Sequence, residues 1–168
     1  MPILNHIINK TLCLKSYTLS IGHCNAIANS LHYFEGQLNR IVLDNCGVDD
    51  AEFCSILNGI YKLDGFKRLI YRRNTFLDQS LAILQNIVLK KIPNHLEELR
   101  IEQCFTEPNV IRSLLQSITK RCVIKKLGLV DARLNHNIVE KHICELVLRS
   151  SFLEELDISQ NQLTLIDL

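Results

Sequence analysis

Several features that would divide this chain or place it in a membrane are missing from its 168 residues. No Gly/Ser-rich linker or low-complexity stretch interrupts it, so the sequence predicts a single domain over residues 1–168. A run of about 18 apolar residues, which a membrane-spanning helix needs, does not occur. The N-terminus lacks the charged start and unbroken apolar stretch of a secretory signal. Since 47% of the residues are apolar, the chain is long enough to bury a substantial core.

Charge of one sign and catalytic motifs are lacking as well. The formal net charge is only +1, so the chain as a whole has no field that attracts nucleic acid or an acidic surface. The sequence contains no His-Glu-x-x-His, no Gly-rich phosphate loop and no nucleophile elbow. Its six histidines share no position in the pattern described below. We therefore predict a protein that is not an enzyme and that binds no metal, cofactor, nucleic acid or membrane.

Cysteine, in contrast, occurs seven times. An odd number without a Cys-x-x-Cys pair argues against a disulfide framework and against a compact zinc site. Cys24, Cys54 and Cys144 fall in predicted helices, where a small apolar side chain packs well. We interpret the cysteines as reduced structural thiols, which predicts a cytoplasmic location, with a nuclear or cytoskeleton-associated one as the alternative.

The dominant pattern is a leucine-rich phrase that returns every 28–30 residues. Its anchors, at the fourth place of each copy, are residues 12, 41, 69, 99, 127 and 156. One copy reads Leu38-Asn-Arg-Ile41-Val-Leu43-Asp-Asn-Cys46-Gly-Val48, and the last reads Leu153-Glu-Glu-Leu156-Asp-Ile158-Ser-Gln-Asn161-Gln-Leu163. A fixed period of this length is typical of a solenoid, here with about six repeats.

The phrase is apolar at places 1, 4, 6 and 11, with Asn, Cys or Ala usual at place 9, and its first copy is weaker. The alternation at places 4 to 6 predicts a short strand with one buried face. Place 9 lies where the chain turns away from the sheet, and buried backbone groups there need partners. Asn74 and Asn161 can supply both a donor and an acceptor, whereas Cys46, Cys104 and Ala132 fit the narrow space.

The segments between the phrases have helical spacing. Asp49 and Asp78 are placed to open two helices, and Pro108 suits the first turn of another. Ranges 21–34 and 138–147 predict two more. One strand and one full helix per repeat resembles the ribonuclease-inhibitor-like class of leucine-rich-repeat proteins. This resemblance covers residues 8–168 and implies an α/β horseshoe segment, with a parallel β-sheet on the concave face and α-helices on the convex face.

The two ends of the predicted solenoid differ from its middle. A terminal repeat exposes its core unless a polar cap covers it. Residues 1–8 have the apolar residues of a degenerate N-terminal cap, whereas nothing in residues 164–168 has the character of a cap. We therefore expect this chain to be part of a larger chain or assembly.

Places 2, 3, 5, 7 and 8 are expected to point outward from the concave face. From the third copy onward, places 2 and 3 alternate in sign, so that Lys67 and Arg68 face Glu97 and Glu98 on the next strand. Two interpretations remain open. Such pairs either only keep the face soluble, since exposed pairs stabilise little, or form a mixed-charge docking strip.

The predicted partner-binding surface lies at the centre of this face. Val42 and Ile70 form an apolar strip at place 5, and Arg72 and Arg73 flank it. An apolar patch rimmed by arginine is common in protein interfaces, although scattered exposed apolar residues are also normal. The candidate residues are Val42, Asp44, Arg68, Ile70, Arg72, Arg73, Glu98, Arg100 and Glu102.

The function predicted from these features is that of a non-catalytic protein–protein interaction module or scaffold, which binds a protein partner through the concave face. The resembling class includes the Ran GTPase-activating protein and tropomodulin. It therefore implies two alternatives, a regulator of a small GTPase and a cytoskeletal or ciliary scaffold subunit. A further alternative is self-assembly through the C-terminal edge.

Overall fold

The computed structural model describes residues 7–90, 96–121 and 123–163, in which short strands alternate with helices. The strands are β1 (Ile7–Ile8), β2 (Thr11–Lys15), β3 (Arg40–Asp44), β4 (Arg68–Arg72), β5 (Glu98–Glu102), β6 (Lys126–Gly128) and β7 (Glu155–Asp157). The helices are α1 (Ile21–Ser30), α2 (Asp50–Lys62), α3 (Asp78–Val88), α4 (Pro108–Arg121), α5 (His136–Ile138) and α6 (Cys144–Arg149). A 3₁₀ helix at Leu31–Phe34 extends α1, and a π-helix at Val139–Ile143 joins α5 to α6. The fold is therefore α/β.

The seven strands form one sheet in sequence order, and every pair after the first is parallel. Equivalent places lie side by side, so that Ile41 of β3 pairs with Leu12 on one side and Leu69 on the other. β1 runs antiparallel to β2 at the first edge. Of the predicted N-terminal cap, only Ile7–Ile8 is described, while residues 1–6 and the tail at 164–168 lie outside the described residues.

Each turn after a parallel strand uses a residue in the left-handed conformation. Place 8 has φ between 47° and 59° in all six copies, at Ser16, Asn45, Arg73, Gln103, Asp131 and Gln160. In this conformation, the Arg73 amide donates to the Glu102 carbonyl at 3.0 Å, and the Gln103 amide donates to Val130 at 2.7 Å. Place 8 therefore continues the hydrogen-bond ladder past the strand, in a conformation that non-glycine residues adopt only rarely.

Asparagine at place 9 has the predicted role. The Asn74 Oδ1 accepts from the amides of Cys46 and Val48 at 2.9 and 3.2 Å. Its Nδ2 donates to the carbonyls of Leu43 and Arg72 at 3.3 and 2.7 Å. One side chain thus satisfies four backbone groups of two adjacent copies, which the turning chain leaves without sheet partners.

Cysteine at the same place does more than fit the space. The Cys46 thiol donates to the carbonyls of Leu14 and Asp44 at 3.3 and 3.5 Å, which are the places that the amide nitrogen of asparagine reaches. Cys104 makes the same two contacts two copies further on. Burial raises the pKa of the Cys104 thiol to about 11, so the donor proton is retained at neutral pH. A thiol supplies the donor half of the asparagine contacts, and its sulfur is a weaker acceptor for the amides than the asparagine oxygen is.

The inward side chains of the strands and the buried faces of the helices form one core. At its centre, Phe53 of α2 stacks on Tyr71 of β4, with ring centroids 3.7 Å apart and ring planes 3° apart. The Tyr71 hydroxyl donates to the Thr75 carbonyl at 2.8 Å. Aromatic stacking and a satisfied hydroxyl together fix this ring in the core.

The predicted helix starts are confirmed, but one cap comes from an unexpected residue. Asp49 caps α2 in a reciprocal arrangement with Glu52. α3 begins at Asp78, as predicted, yet the Asp50 carboxylate of α2 accepts from the Leu77 amide at 2.7 Å. The start of α3 is therefore tied to the preceding copy through one carboxylate.

α1 and α2 approach closely at Gly59. A Cβ there would lie 2.8 Å from both the Cα and the carbonyl oxygen of Ala28. We expect Gly59→Ala to lower the free energy of unfolding by about 1–2 kcal/mol in urea denaturation, because backbone must move to make room. The control is Gly22→Ala, where a Cβ meets nothing nearer than the Ser20 hydroxyl at 3.8 Å, and where we expect no loss. Equal losses in both variants would contradict the close approach.

Candidate functional site

The face of the sheet that points away from the core carries the predicted residues. We define the open face as the side chains at places 2, 3, 5, 7 and 8 of the six copies, within residues 10–16, 39–45, 67–73, 97–103, 125–131 and 154–160. Neighbouring strands lie roughly 4.8 Å apart, so residues 28–30 positions apart in sequence become neighbours here. All nine candidate residues lie on β3, β4, β5 and the turn after β4.

The predicted exposed apolar strip at place 5 is wrong. Ile70 is only 2% exposed, and Val42 is half-buried. Ile70 pairs in register with Val42 on one side and with Arg100 on the other. Long charged side chains cover apolar neighbours with their aliphatic stems, and place 5 is the central row of the face. Ile70 therefore belongs to the buried structure and offers a partner no apolar surface.

Arg100 is the centre of an ion-pair network on the open face. Its Nε lies 2.9 Å from Glu98, its Nη1 lies 3.4 Å from Glu102, and its Nη2 contacts Glu155. Its side chain is 13% exposed, and those of Glu98 and Glu102 are each 10% exposed. Burial alone lowers the pKa of Arg100, but the hydrogen bonds and charges of Glu98, Glu155 and Glu102 outweigh it and raise the pKa. The Arg100 guanidinium therefore stays charged although most of its side chain is buried.

Arg72, the last residue of β4, and Arg73, in the turn after it, pair with carboxylates on the two neighbouring strands. The Arg73 Nε donates to Asp44 at 2.9 Å, and Arg72 contacts Glu102. Six of the nine candidates are thus engaged in internal pairs, namely Asp44, Arg72, Arg73, Glu98, Arg100 and Glu102. Of the charged candidates, only Arg68 makes no ion pair with any part of the chain that the structure describes.

A depression of about 380 Å³ lies where the strands begin, and Arg40, Arg68 and Glu97 are among its lining residues. Arg40 pairs in register with Arg68, and its Nε is buried without a hydrogen-bond partner. Like charges on directly opposed residues destabilise a sheet. A carboxylate from outside the chain could relieve this repulsion, because guanidinium groups bind carboxylates through paired hydrogen bonds.

Sequence reasoning missed an exposed aromatic residue at the edge of the sheet. Phe105, at place 10, is 58% exposed, and the Arg133 guanidinium lies 5.4 Å from its ring centroid. Arg73 and Gln103 line the adjacent depression of about 420 Å³. The signal was present in the sequence, because place 10 is otherwise Gly, Thr, Arg or Gln, none of them apolar and large.

Comparison with known proteins assigns the fold. No protein-family model matches the sequence, and no curated protein matches it. Among solved structures, the C-terminal domain of tropomodulin, from structural genomics of Caenorhabditis elegans, is similar over 88% of this chain and 89% of that chain, with a TM-score of 0.60. The chain has a leucine-rich-repeat-type fold. At 11% identity the likeness applies to the fold alone, and it distinguishes no member of the ribonuclease-inhibitor-like class.

Two classes of site are not found in the residues that the structure describes. No described helix is long and apolar enough to cross a membrane. No group of three or more His, Cys, Asp or Glu side chains in the described ranges is arranged to hold a metal ion. The open face itself carries charged pairs together with exposed guanidinium, ammonium and carboxylate groups.

The carboxylates of this face should make the fold sensitive to acid. Partial burial opposes ionisation of Glu97, but Lys67 at 3.4 Å and Lys125 at 3.5 Å outweigh it and lower its pKa. Hydrogen bonds from Arg100 and Lys126 lower the pKa of Glu155. A lowered carboxylate pKa stabilises the fold above the unfolded value of 4.5, and this stability is lost as the pH falls through the folded value.

We therefore expect the urea midpoint to fall as the pH is lowered from about 5 to about 3. Glu97→Gln should be less stable than the original chain at neutral pH, and its midpoint should fall less over the same interval. Parallel pH profiles for the two proteins would show that Glu97 is not held ionised by its lysines.

Proposed function

We propose that this chain is a non-catalytic protein-interaction module, a segment of a leucine-rich-repeat solenoid of about six repeats whose concave face binds a protein partner. The observation that carries the proposal is that charged side chains cover the open face and that the network around Arg100 holds them in place. A surface ordered before binding loses little conformational entropy when a partner docks. The likeness to the tropomodulin domain supports a scaffold role.

The proposal includes the absence of catalysis. The charged groups of the open face pair with one another across the sheet instead of converging on an enclosed cavity. Enzymes need acid, base or nucleophilic groups directed at one reacting atom. The paired arrangement therefore favours a surface that binds a partner over one that catalyses a reaction.

The test is affinity capture from cell extract, with surface variants as controls. Ile70→Asp is unsuitable, because a side chain that is 2% exposed cannot be charged without loss of stability. Arg68→Glu changes an exposed, unpaired position of the open face, and Lys120→Glu makes the same charge change on α4. We expect a protein retained by the original chain and by Lys120→Glu to be lost with Arg68→Glu. Retention by all three proteins would place the binding site elsewhere.

A cytoskeletal scaffold is the second candidate, and the tropomodulin-like fold is the observation that favours it. It would place the protein in the cytoplasm, in association with filaments. The six described cysteines have free thiols, which is consistent with a reducing compartment. Co-sedimentation with actin filaments or microtubules, lost in Arg68→Glu, is the expected result for this role. If the protein sediments with neither actin filaments nor microtubules, the cytoskeletal role is excluded.

A further inference from the structure

The small net charge of the chain conceals a division of charge along the open face. The first three copies, within residues 10–16, 39–45 and 67–73, carry seven basic side chains and one acidic side chain, a net charge of +6. The last three copies, within residues 97–103, 125–131 and 154–160, carry three basic and seven acidic side chains, a net charge of −4. Because the strands lie in sequence order, these halves are adjacent blocks of opposite sign on one surface.

Ion pairing makes the division sharper. Of the 18 charged side chains in these ranges, 11 form ion pairs with one another, among them Arg73 with Asp44 and Arg72 with Glu102, and 7 form none within the described residues. The unpaired side chains of the first half are all basic, and those of the second half are all acidic. They are Lys10, Lys15, Arg40 and Arg68 in the first half, and Asp131, Glu154 and Asp157 in the second.

We propose that the open face binds an extended segment of a partner protein whose charge is reversed along its length, acidic over β2–β4 and basic over β5–β7. This inference rests on the proposed function and specifies the partner. Six strands at about 4.8 Å spacing span about 24 Å, which an extended segment covers in about eight residues at about 3.3 Å each. Carboxylates of the segment would lie on Arg40 and Arg68, and its ammonium or guanidinium groups on Glu154 and Asp157.

The charge division argues against other occupants. Nucleic acids and anionic membranes are negative throughout, so Asp131, Glu154 and Asp157 would repel them at one end. A uniformly basic protein would be repelled by Arg40 and Arg68 at the other end. A second copy, turned through a two-fold axis, would match the charges. Places 2 to 8 extend over about 20 Å along the strands, however, so the face offers only about 500 Å² per copy, which is less than a specific dimer needs.

The experiment measures fluorescence anisotropy with three labelled nine-residue peptides of identical composition. Two carry three glutamates, three serines and three lysines as blocks, in the two opposite orders, and the third distributes the same residues alternately. We expect one block peptide to bind at least tenfold more tightly than the alternating peptide, and added salt to weaken this binding. The tenfold preference should be lost when Arg40→Glu is combined with Arg68→Glu, and when Glu154→Lys is combined with Asp157→Lys. The matched control, Lys120→Glu, should retain it, and circular dichroism should show all variants folded.

Each contrary result has a distinct meaning. Equal binding of block and alternating peptides would overturn the charge-reversed segment. If Arg68→Glu nevertheless abolished capture of a partner from extract, the proposed function would stand with a different kind of partner. If the block and alternating peptides bind equally and Arg68→Glu also fails to abolish capture of a partner, the proposed function is overturned as well. A salt-sensitive dimer in sedimentation, without peptide binding, would assign the face to a second copy and overturn the segment.

Discussion

Replacing Asn74 by alanine should lower the free energy of unfolding by about 2–4 kcal/mol, because four buried backbone groups lose their partner at once. The amides of Cys46 and Val48 lose an acceptor, and the carbonyls of Leu43 and Arg72 lose a donor. The side chain is only 7% exposed, so water cannot replace these bonds without opening the turn. Urea denaturation of the two proteins measures the difference.

The control for Asn74→Ala is Cys104→Ala at the same place of the next copy. Cys104 donates to two carbonyls at 3.4 Å and its sulfur is only a weak acceptor, so its replacement should cost about 1 kcal/mol or less. Alanine is compatible with place 9, since Ala132 is 1% exposed there. A steric explanation therefore does not apply. Similar losses in both variants would show that the asparagine amide contacts contribute no more than thiol contacts do.

The role of Asn74 was predictable from the sequence because it depends on the repeat alone. Period and alternation fix which residues share a row, and Leu12, Ile41 and Leu69 accordingly pair across β2, β3 and β4. The turn must then occur at the same place in every copy, and its buried amides need an acceptor there. The repeat alone therefore predicts that a side chain at this place bonds to the backbone of two adjacent copies, and no other contact needs to be known.

Exposure on the open face was not predictable in the same way. Ile70 is at an outward place, but whether it is exposed depends on the length and pairing of side chains 28–30 residues away. The pairs themselves also differ from the sequence expectation, in which Glu98 faces Arg68 across the strand. Glu98 instead pairs with Arg100, two residues along its own strand, because Arg100 lies in the buried central row. Comparing the charges at one place at a time across the six copies also hid the division of charge between the two halves of the face.

The helix predicted over residues 138–147 departs from regular α-helix for a local reason. A π-helix at Val139–Ile143 joins α5 to α6. A π-helix adds a residue to a turn, which the regular spacing behind the prediction does not include. In the last turn, Val147 is 51% exposed although it is apolar, while Leu146 beside it is buried.

Replacing Arg100 by methionine should have the second large effect, a loss of about 3–5 kcal/mol at neutral pH. Methionine keeps much of the aliphatic stem, so packing changes little, but the charge that faces Glu98 and Glu102 disappears. Glu98 then loses the one ion pair that it makes within the described residues, and it is only 8% exposed, which is the costly outcome of breaking a buried pair. Glu102 keeps Arg72, so the cost falls mainly on Glu98.

The pH dependence separates this electrostatic loss from a packing defect. The hydrogen bond from Arg100 lowers the pKa of Glu155, and stability from a lowered carboxylate pKa is lost as the pH falls. The difference between Arg100→Met and the original chain should therefore shrink as the pH falls from about 7 to about 3. A packing defect would keep the difference constant. Lys126→Met is the matched control, because its pair with Glu155 is 46% and 41% exposed and should contribute about 1 kcal/mol or less. If Arg100→Met also lowers peptide affinity while Arg40 and Arg68 are intact, the network orders the face for binding as well as stabilising the fold.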